Sequence, residues 1–490
     1  MAIKFTDKIL DNVHGFIEYS DAEKEVMNTL LFKRLQSIKQ LSIANWIFPG
    51  SEHTRYIHSL GVMHIADKIA RQLELPDQDR KIIRMAGLLH DIGHYPLSHV
   101  CETPYKKGME NYKEDSVCQA VNGDMKRYIE RFSLPVAKEF MVGSVEGHHE
   151  AVGAAIIRTD PQIKKIITEE CGEASIDIIC DMITGNVKRQ DTNPLWVQIL
   201  HSEIDADGID YMMRDAAFAG TGFGSFEMNQ LIRCFERRVY DGKEILCINE
   251  KGIAAADQYL INKFFSYSQV VFNKHISNLE WMAEIIVDWM LKQSVLFPTK
   301  ENLLKQWINA KGNFDNYLSF TDNFFWKALD EIKTSPKKYY APEYIVELSK
   351  KLLNHEELSF VSDSEVRIIS KDADEMKERL CQSAIYTEYV NSHDKVVLYS
   401  KKPMTKNVPY EKFIEAIERN IPEELQDDKE KYIKNKVLSR YMEGICVCNN
   451  RNEEIHLLCD DDKSLMKQLY GTNLVIFRAF QFPLADKVKL

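Results

Sequence analysis

The chain has 490 residues, with 63 lysines and arginines against 74 aspartates and glutamates for a net charge of −11, and 44% of it is hydrophobic. That is an ordinary globular composition, and the length supports two or three domains whose cores need no disulfide or structural metal to hold them. No run approaches the roughly 18 apolar residues of a membrane span and no signal-peptide core follows Met1, which predicts a cytoplasmic protein without membrane contacts; the acid excess argues against broad nucleic-acid binding.

Apolar residues at three-to-four spacing from Leu60 to Leu73 predict a helix, and the segment from Arg80 to Leu89 repeats the pattern up to Gly93, a helix stop. Further helices are predicted at 149–158, 161–184, 195–217 and 254–293. One hairpin interrupts them, Val239-Tyr240 and Glu244 to Ile248 around an Asp241-Gly242 turn. Leu296-Phe297-Pro298 marks a boundary. Beyond it, strand-like runs at 365–369, 395–400, 444–448, 454–459 and 473–480 mix with helices near 343–353 and 410–440. The expected fold is mainly α: a helical first region over 1–295 with a small β-hairpin, then an α+β region over 296–490 serving assembly, regulation or partner binding. The ten cysteines form no CxxC pair, which suits reduced thiols.

Ten of the fourteen histidines fall at or before His201. A lone histidine is ordinarily a satisfied core or surface residue, and that is the reading for His14, His53, His64 and His201. His90-Asp91 is different, because an imidazole and a carboxylate at the end of an apolar helix are expensive to bury unless something pairs with them. A divalent cation does so, since neutral imidazole nitrogen and carboxylate oxygen both suit borderline metals. His58 and Asp207 complete an ordered H…HD…D set.

These strings resemble the HD-domain superfamily of metal-dependent phosphohydrolases, and within it the deoxynucleoside triphosphate triphosphohydrolases. The resemblance runs from about 8 to 290 and rests on Phe32-Lys33-Arg34-Leu35, Ile38-Lys39-Gln40-Leu41, Phe48-Pro49-Gly50, Arg55 to Val62, Leu89 to His94 with Pro96 to His99, His149-Glu150, and Ile204 to Asp215. It implies a helical HD core in which His58, His90, Asp91 and Asp207 hold one divalent metal (Mn, Fe, Mg, Zn or Ni). It implies hydrolysis of a deoxynucleoside triphosphate to deoxynucleoside and triphosphate. His99 and His149 would manage protons, with His94 close to the metal and Glu102, where the family has aspartate, orienting His149. An inserted charged segment of about 45 residues separates His99 from His149, and His148 is a competing choice.

Arg55 and Lys263 would grip phosphate, Lys263 having the alternative of a solvated helix lysine. Gly208 stands where relatives carry Lys or Arg, so one phosphate contact is missing. Tyr211, Asp215 and Gln40 would select the deoxy sugar; the alternative has Tyr211 as core filler with Asp215 paired to Arg34 or Arg214.

The resemblance further implies a homo-oligomer, tetramer or hexamer, with or without a partner protein, and a nucleotide effector between subunits. Asp11 to Gly15 is similar to a string that helps form such an effector site, but Asn28 and Gln36 replace the family's guanine-gripping residues. Pool balance and antiviral nucleotide depletion are both open roles. Competing readings are an HD phosphohydrolase acting on another nucleotide and a non-catalytic nucleotide sensor.

Overall fold

The computed structural model describes residues 2–107, 148–189, 191–308, 314–362, 364–371, 395–422, 428–449 and 454–482. The inserted segment between His99 and His149 lies almost wholly outside them.

The chain opens on a hairpin, β1 (Asp7–Asp11) and β2 (Gly15–Tyr19), paired from Asp7↔Tyr19 to Asp11↔Gly15. Its turn is built by Asp11, whose Oδ1 accepts the backbone N–H groups of Val13 and His14 at 2.9 Å each. Helix α1 (Asp21–Asn28) follows, started by a capping box between Ser20 and Glu23. Then come α2 (Arg55–Gln72), α3 (Asp77–Leu89) and α4 (His99–Lys107). α2 and α3 pack closely through Val62, Met63, Ala66 and Ile69 against Ile83, Ala86 and Leu88, all buried.

The helix predicted over 161–184 is two helices. After α5 (His149–Thr159), Asp160 caps α6 (Pro161–Cys171), which ends at Gly172 with φ of 94°, and α7 (Ser175–Ile183) restarts. Likewise 195–217 divides into α8 (Pro194–Leu200) and α9 (Ala206–Ala219), because the Asp205 side chain accepts from Gly208 N–H and starts a new helix there. The expected hairpin is β3 (Phe235–Tyr240) and β4 (Lys243–Asn249), with Asp241 and Gly242 at φ of 48° and 76° as a two-residue turn of this kind requires. A π-turn over Tyr267–Val271 divides 254–293 into α10 (Ile253–Ser266) and α11 (Lys274–Gln293).

Beyond 296 the mixture of helices and short strands is as the sequence predicts: α12 (Asp322–Thr334), α13 (Glu343–Leu353), β5 (Val366–Ser370), β6 (Lys395–Pro403), α14 (Tyr410–Arg419), α15 (Lys429–Glu443), β7 (Cys446–Cys448), β8 (Ile455–Leu457) and β9 (Asn473–Gln481). The helix predicted over 410–440 is therefore two. β5, β9 and β6 form one antiparallel sheet, whereas β7 adds parallel to β4 so that β3-β4-β7-β8 is a single sheet drawn from both halves of the chain. Contacts across 296 are also polar: the buried Arg34 guanidinium donates to the carbonyls of Ile92, His94 and Phe320. Among the described residues no helix is long and apolar enough to cross a membrane.

Gly93, between the two histidine-bearing strings, is fixed by packing. A Cβ there would stand 2.2 Å from both Gly153 N and the His149 carbonyl oxygen, both backbone atoms that cannot swing aside. Gly93→Ala should therefore destabilise the protein by about 1–3 kcal/mol, as overpacked cores do. Urea denaturation followed by circular dichroism measures it, and an unchanged midpoint would contradict this packing.

Candidate active site

His58 lies in the first turn of α2, and His90 caps the end of α3 with Asp91 next to it. Each imidazole is oriented by a partner behind it. His58 Nδ1 is 2.7 Å from Asp210 Oδ2, and His90 Nδ1 is 2.8 Å from the Gly87 carbonyl oxygen. With Nδ1 as the donor in both rings, both Nε2 atoms face one space, 3.3 Å apart. Asp207, in the first turn of α9, adds Oδ1 at 2.9 Å from His58 Nε2 and 3.8 Å from His90 Nε2. The three ligand atoms lie within 4.8 Å of one another.

Two apposed nitrogen lone pairs and a carboxylate repel unless positive charge stands among them. Burial opposes charge on His58, but Asp207 and Asp210 outweigh it and lift the imidazole to about 10. A divalent cation satisfies all three atoms at once, so the donor set fits a metal. Asp91 is buried at the edge of this group. Its Oδ2 accepts from Arg55 Nη1 at 2.8 Å and is 3.8 Å from His58 Nε2; its Oδ1 lies 3.4 Å from His90 Nε2. Despite burial, Arg55 and the surrounding imidazoles hold the Asp91 carboxyl well below the usual carboxylate range.

Asp91 Oδ1 also lies 3.8 Å from His94 Nε2 and 3.7 Å from His149 Nε2, which joins the metal-type group to a second one of His94, His99 and His149. Two consecutive left-handed residues, Leu97 and Ser98 at φ of 50° and 54°, turn the chain between His94 and His99 and bring their rings edge to face at 5.0 Å. That conformation is strained for residues with a Cβ, and it is braced. Asp322 Oδ1 accepts the Leu97 N–H at 2.7 Å and Oδ2 the Lys39 N–H at 3.0 Å, while Ser98 Oγ donates to the Lys39 carbonyl and accepts from Arg55 Nε.

Glu102 is fully buried and orients two histidines rather than one. Its Oε2 is 2.6 Å from His99 Nδ1, and its Oε1 is 3.0 Å from both the ring Nδ1 and the backbone N of His149. Burial disfavours charge on His149, but Glu150 and Glu102 lift it to about 9. His94, stacked on His149 at 4.0 Å, is pushed well below the ordinary value by burial and by the Arg55 and His149 charges, so it stays neutral. Of the two adjacent histidines, His149 enters the cluster; His148 is 3.7 Å from Glu102 and more exposed.

Tyr211 sits one turn beyond Asp207 on α9, with Asp215 a further turn along. Asp215 pairs with neither Arg34 nor Arg214. Its Oδ1 is 2.8 Å from His53 Nε2, whose ring packs on Phe218. Gln40 adjoins them, its N–H donating to the His53 carbonyl, and its buried Oε1 has no hydrogen-bond partner. Lys263 is not a solvated helix lysine. It is half-buried, donates to the Glu203 carbonyl, and holds its ammonium 5.7 Å from the Tyr211 ring centre and 5.5 Å from that of Tyr259. The Tyr259 hydroxyl explains Gly208, because a Cβ at 208 would stand 2.3 Å from it.

Sequence reasoning passed over Asp210 and Asp322, took His14 and His53 for ordinary histidines, set Asp11 to Gly15 beside an effector string, and weighed Arg214 only as a partner for Asp215. Asp210 is buried and meets His58, His14 Nε2 and the forked Arg214 guanidinium, which also reaches Asp11 at 2.8 Å. The spacing Asp207, Asp210, Arg214 places the last two on one helix face beside Asp207 and was the available signal. Asp11 and His14 of the hairpin turn are thus engaged behind His58.

Residues 55–200 match the model of the HD domain. An uncharacterised protein of Methanocaldococcus jannaschii is 26% identical over 328 residues, 66% of this chain and 57% of that one. The deoxynucleoside triphosphate triphosphohydrolase SAMHD1 of Bos taurus is 38% identical over 106 residues, 20% of this chain and 18% of that protein. The chain spans between 51% and 57% of the length of four of the uncharacterised relatives that it matches. A solved phosphohydrolase from Bacteroides thetaiotaomicron has the same fold, with a TM-score of 0.61 at 19% identity over 97% of this chain and 99% of that one.

Replacing Asp210 by alanine would strand the Arg214 charge and untie His58. Loss of one partner from a buried ionic network typically costs about 3–5 kcal/mol. Thermal denaturation of Asp210→Ala should show a loss of that order, and a wild-type melting curve would refute the role given to this carboxylate.

Proposed function

We propose, from the match of residues 55–200 to the HD-domain model, a metal-dependent hydrolase of deoxynucleoside triphosphates that releases the whole triphosphate. The observation that carries this reading is the convergence of His58 Nε2, His90 Nε2 and Asp207 Oδ1 on one space, with Tyr211 one helical turn from Asp207.

His58, His90 and Asp207 would hold one divalent cation, with Asp91 completing the set through the carboxylate edge that Arg55 leaves free. When bound, the cation supplies charge neutralisation at the α-phosphate and acidifies water. In the reaction, water oxygen bonds to the α-phosphorus, the bond from phosphorus to O5′ breaks, and O5′ takes up a proton. His149 is suited to give it. Glu102 occupies Nδ1, so Nε2 carries the mobile proton, and an imidazolium held near 9 is charged at neutral pH. His99, on the other oxygen of Glu102, stands beside it. Neutral His94 packs the two in place.

The sugar would lie over Tyr211. The unpartnered Oε1 of Gln40 is an acceptor for a 3′ hydroxyl, and Asp215, positioned by His53, is a second. A ring packed on C2′ leaves no room for a ribose hydroxyl. Arg55 and Lys263 supply positive charge towards the phosphates.

The test is to incubate the full chain with Mn²⁺ and each dNTP, singly and mixed, and to resolve the products by ion-pair chromatography. Deoxynucleoside plus triphosphate is expected, with activity only in the mixture signalling an effector requirement. Asp207→Ala should lose turnover and bound metal together while keeping its circular dichroism spectrum. Discrimination between dATP and ATP should be about a hundredfold and should shrink in Tyr211→Ala. Monophosphate products, or equal rates on dATP and ATP, would overturn this substrate reading.

A further inference from the structure

The C-terminal region places a buried cation next to this site. Lys402, at the end of β6, is only 6% exposed. Its ammonium stands 3.7 Å from the ring centre of Tyr267, which opens the π-turn one helical turn after Lys263. Among the described residues it makes no ion pair. Lys263 and Lys406 lie close enough to repel it, and burial together with that repulsion drives its ammonium well below the usual lysine value.

The acid that attracts Lys402 is Glu203, and Glu203 is already occupied. Its carboxylate accepts from Thr405 Oγ1 at 3.0 Å, from Lys406 N–H at 2.8 Å and from the Asn407 side chain. Those bonds fix the 405–407 segment against the residue just ahead of α9, and so fix Lys402 beside Lys263. Lys263 in turn reaches over Tyr211 and Tyr259. The Tyr259 hydroxyl, buried and without a hydrogen-bond partner, completes the wall.

The other acid within reach of Lys263 is the buried Asp205, whose oxygens already accept the Ser202 and Gly208 N–H groups, and desolvating the Lys402 ammonium without a partner of its own costs several kcal/mol. In a chain of net charge −11 such an arrangement calls for an anion. The neighbouring Gly208 lacks any cation of its own, and Tyr259 leaves no space for one.

We propose that Lys402 and Lys263 form a subsite for the outer phosphates of the substrate, so that the C-terminal region supplies part of the active site. The cation that α9 cannot carry at 208 comes instead from β6. This subsite rests on the triphosphate reading above for its substrate, but not for its existence as a polyphosphate site.

The experiment uses the full chain, Lys402→Met, and inorganic tripolyphosphate as the probe, with orthophosphate for comparison. Methionine keeps the stem that packs on Tyr267 and removes the charge, so the variant should melt at or above the wild-type temperature. Titration calorimetry should show tripolyphosphate binding weakened by about tenfold or more, with orthophosphate little affected. In the hydrolysis assay KM for the dNTP should rise while kcat changes little. A wild type that does not bind tripolyphosphate, or a folded Lys402→Met with unchanged affinity, overturns the subsite. If that occurs while dNTPs are hydrolysed, the triphosphohydrolase reading survives alone. If affinity falls in Lys402→Met but the wild type hydrolyses no dNTP, the polyphosphate subsite stands and the substrate assignment falls.

Discussion

The carboxylate of Asp210 is the constraint on which the rest of the site depends. It is wholly removed from water, and a buried carboxylate survives only when its oxygens are fully engaged. Here His58 Nδ1, His14 Nε2 and two nitrogens of Arg214 engage both oxygens, and they hold the carboxyl well below its usual range against the effect of burial. The consequence reaches the chemistry directly, because a proton fixed on His58 Nδ1 leaves Nε2 to face His90 and Asp207. It also sets the local sequence. A Cβ at Gly61 would stand 1.8 Å from Asp210 Oδ1, so α2 and α9 can approach this closely only over a glycine. The N-terminal hairpin belongs to the same network, since His14 reaches Asp210 and Asp11 accepts from Arg214.

A second buried acid organises the histidines that would move protons. Glu102 divides its oxygens between His99 and His149, and Asp91 faces the Nε2 edge of His149. The acids around His149 favour its charged form while burial favours the neutral form of His94 beneath it, so position alone separates two chemically identical side chains. The strained turn at Leu97 and Ser98 makes this geometry possible, and it is braced from beyond position 296 by Asp322. The second half of the chain therefore acts on the histidine cluster through the backbone as well as through packing.

What was legible in the sequence was local. His58, His90, Asp91 and Asp207 stand in short strings whose cost of burial announces a partner, and α2 and α3 show their period over enough residues to be read. The hairpin around Asp241-Gly242 was legible because a two-residue turn fixes register. What stayed hidden depended on distance or on a single backbone angle. Gly172 ends α6 only because it adopts a left-handed conformation, and glycine inside an apolar pattern does not declare this beforehand. The hairpin β1–β2 alternates over too few residues to stand out. His53 was set aside as an isolated histidine, since its partner Asp215 lies 162 positions away; the parallel pairing of β7 with β4 is hidden for the same reason.

The same logic explains why a motif comparison finds a missing charge at 208 where the folded chain has none to miss. A motif records which residue stands at a position, whereas the site requires only that charge be present at a point in space. Tyr259 fills the volume that a long basic side chain at 208 would cross, and Lys402 arrives from a strand almost two hundred residues later in the chain. Glu203, in the turn that leads into α9, ties down the segment that follows that strand with three hydrogen bonds. In the proposed subsite, a region that carries no recognisable string of its own would contribute to the chemistry through one buried side chain. The acid excess of the chain as a whole would then be no obstacle to the proposed polyanionic substrate, because charge a few ångströms away outweighs distant, screened charge.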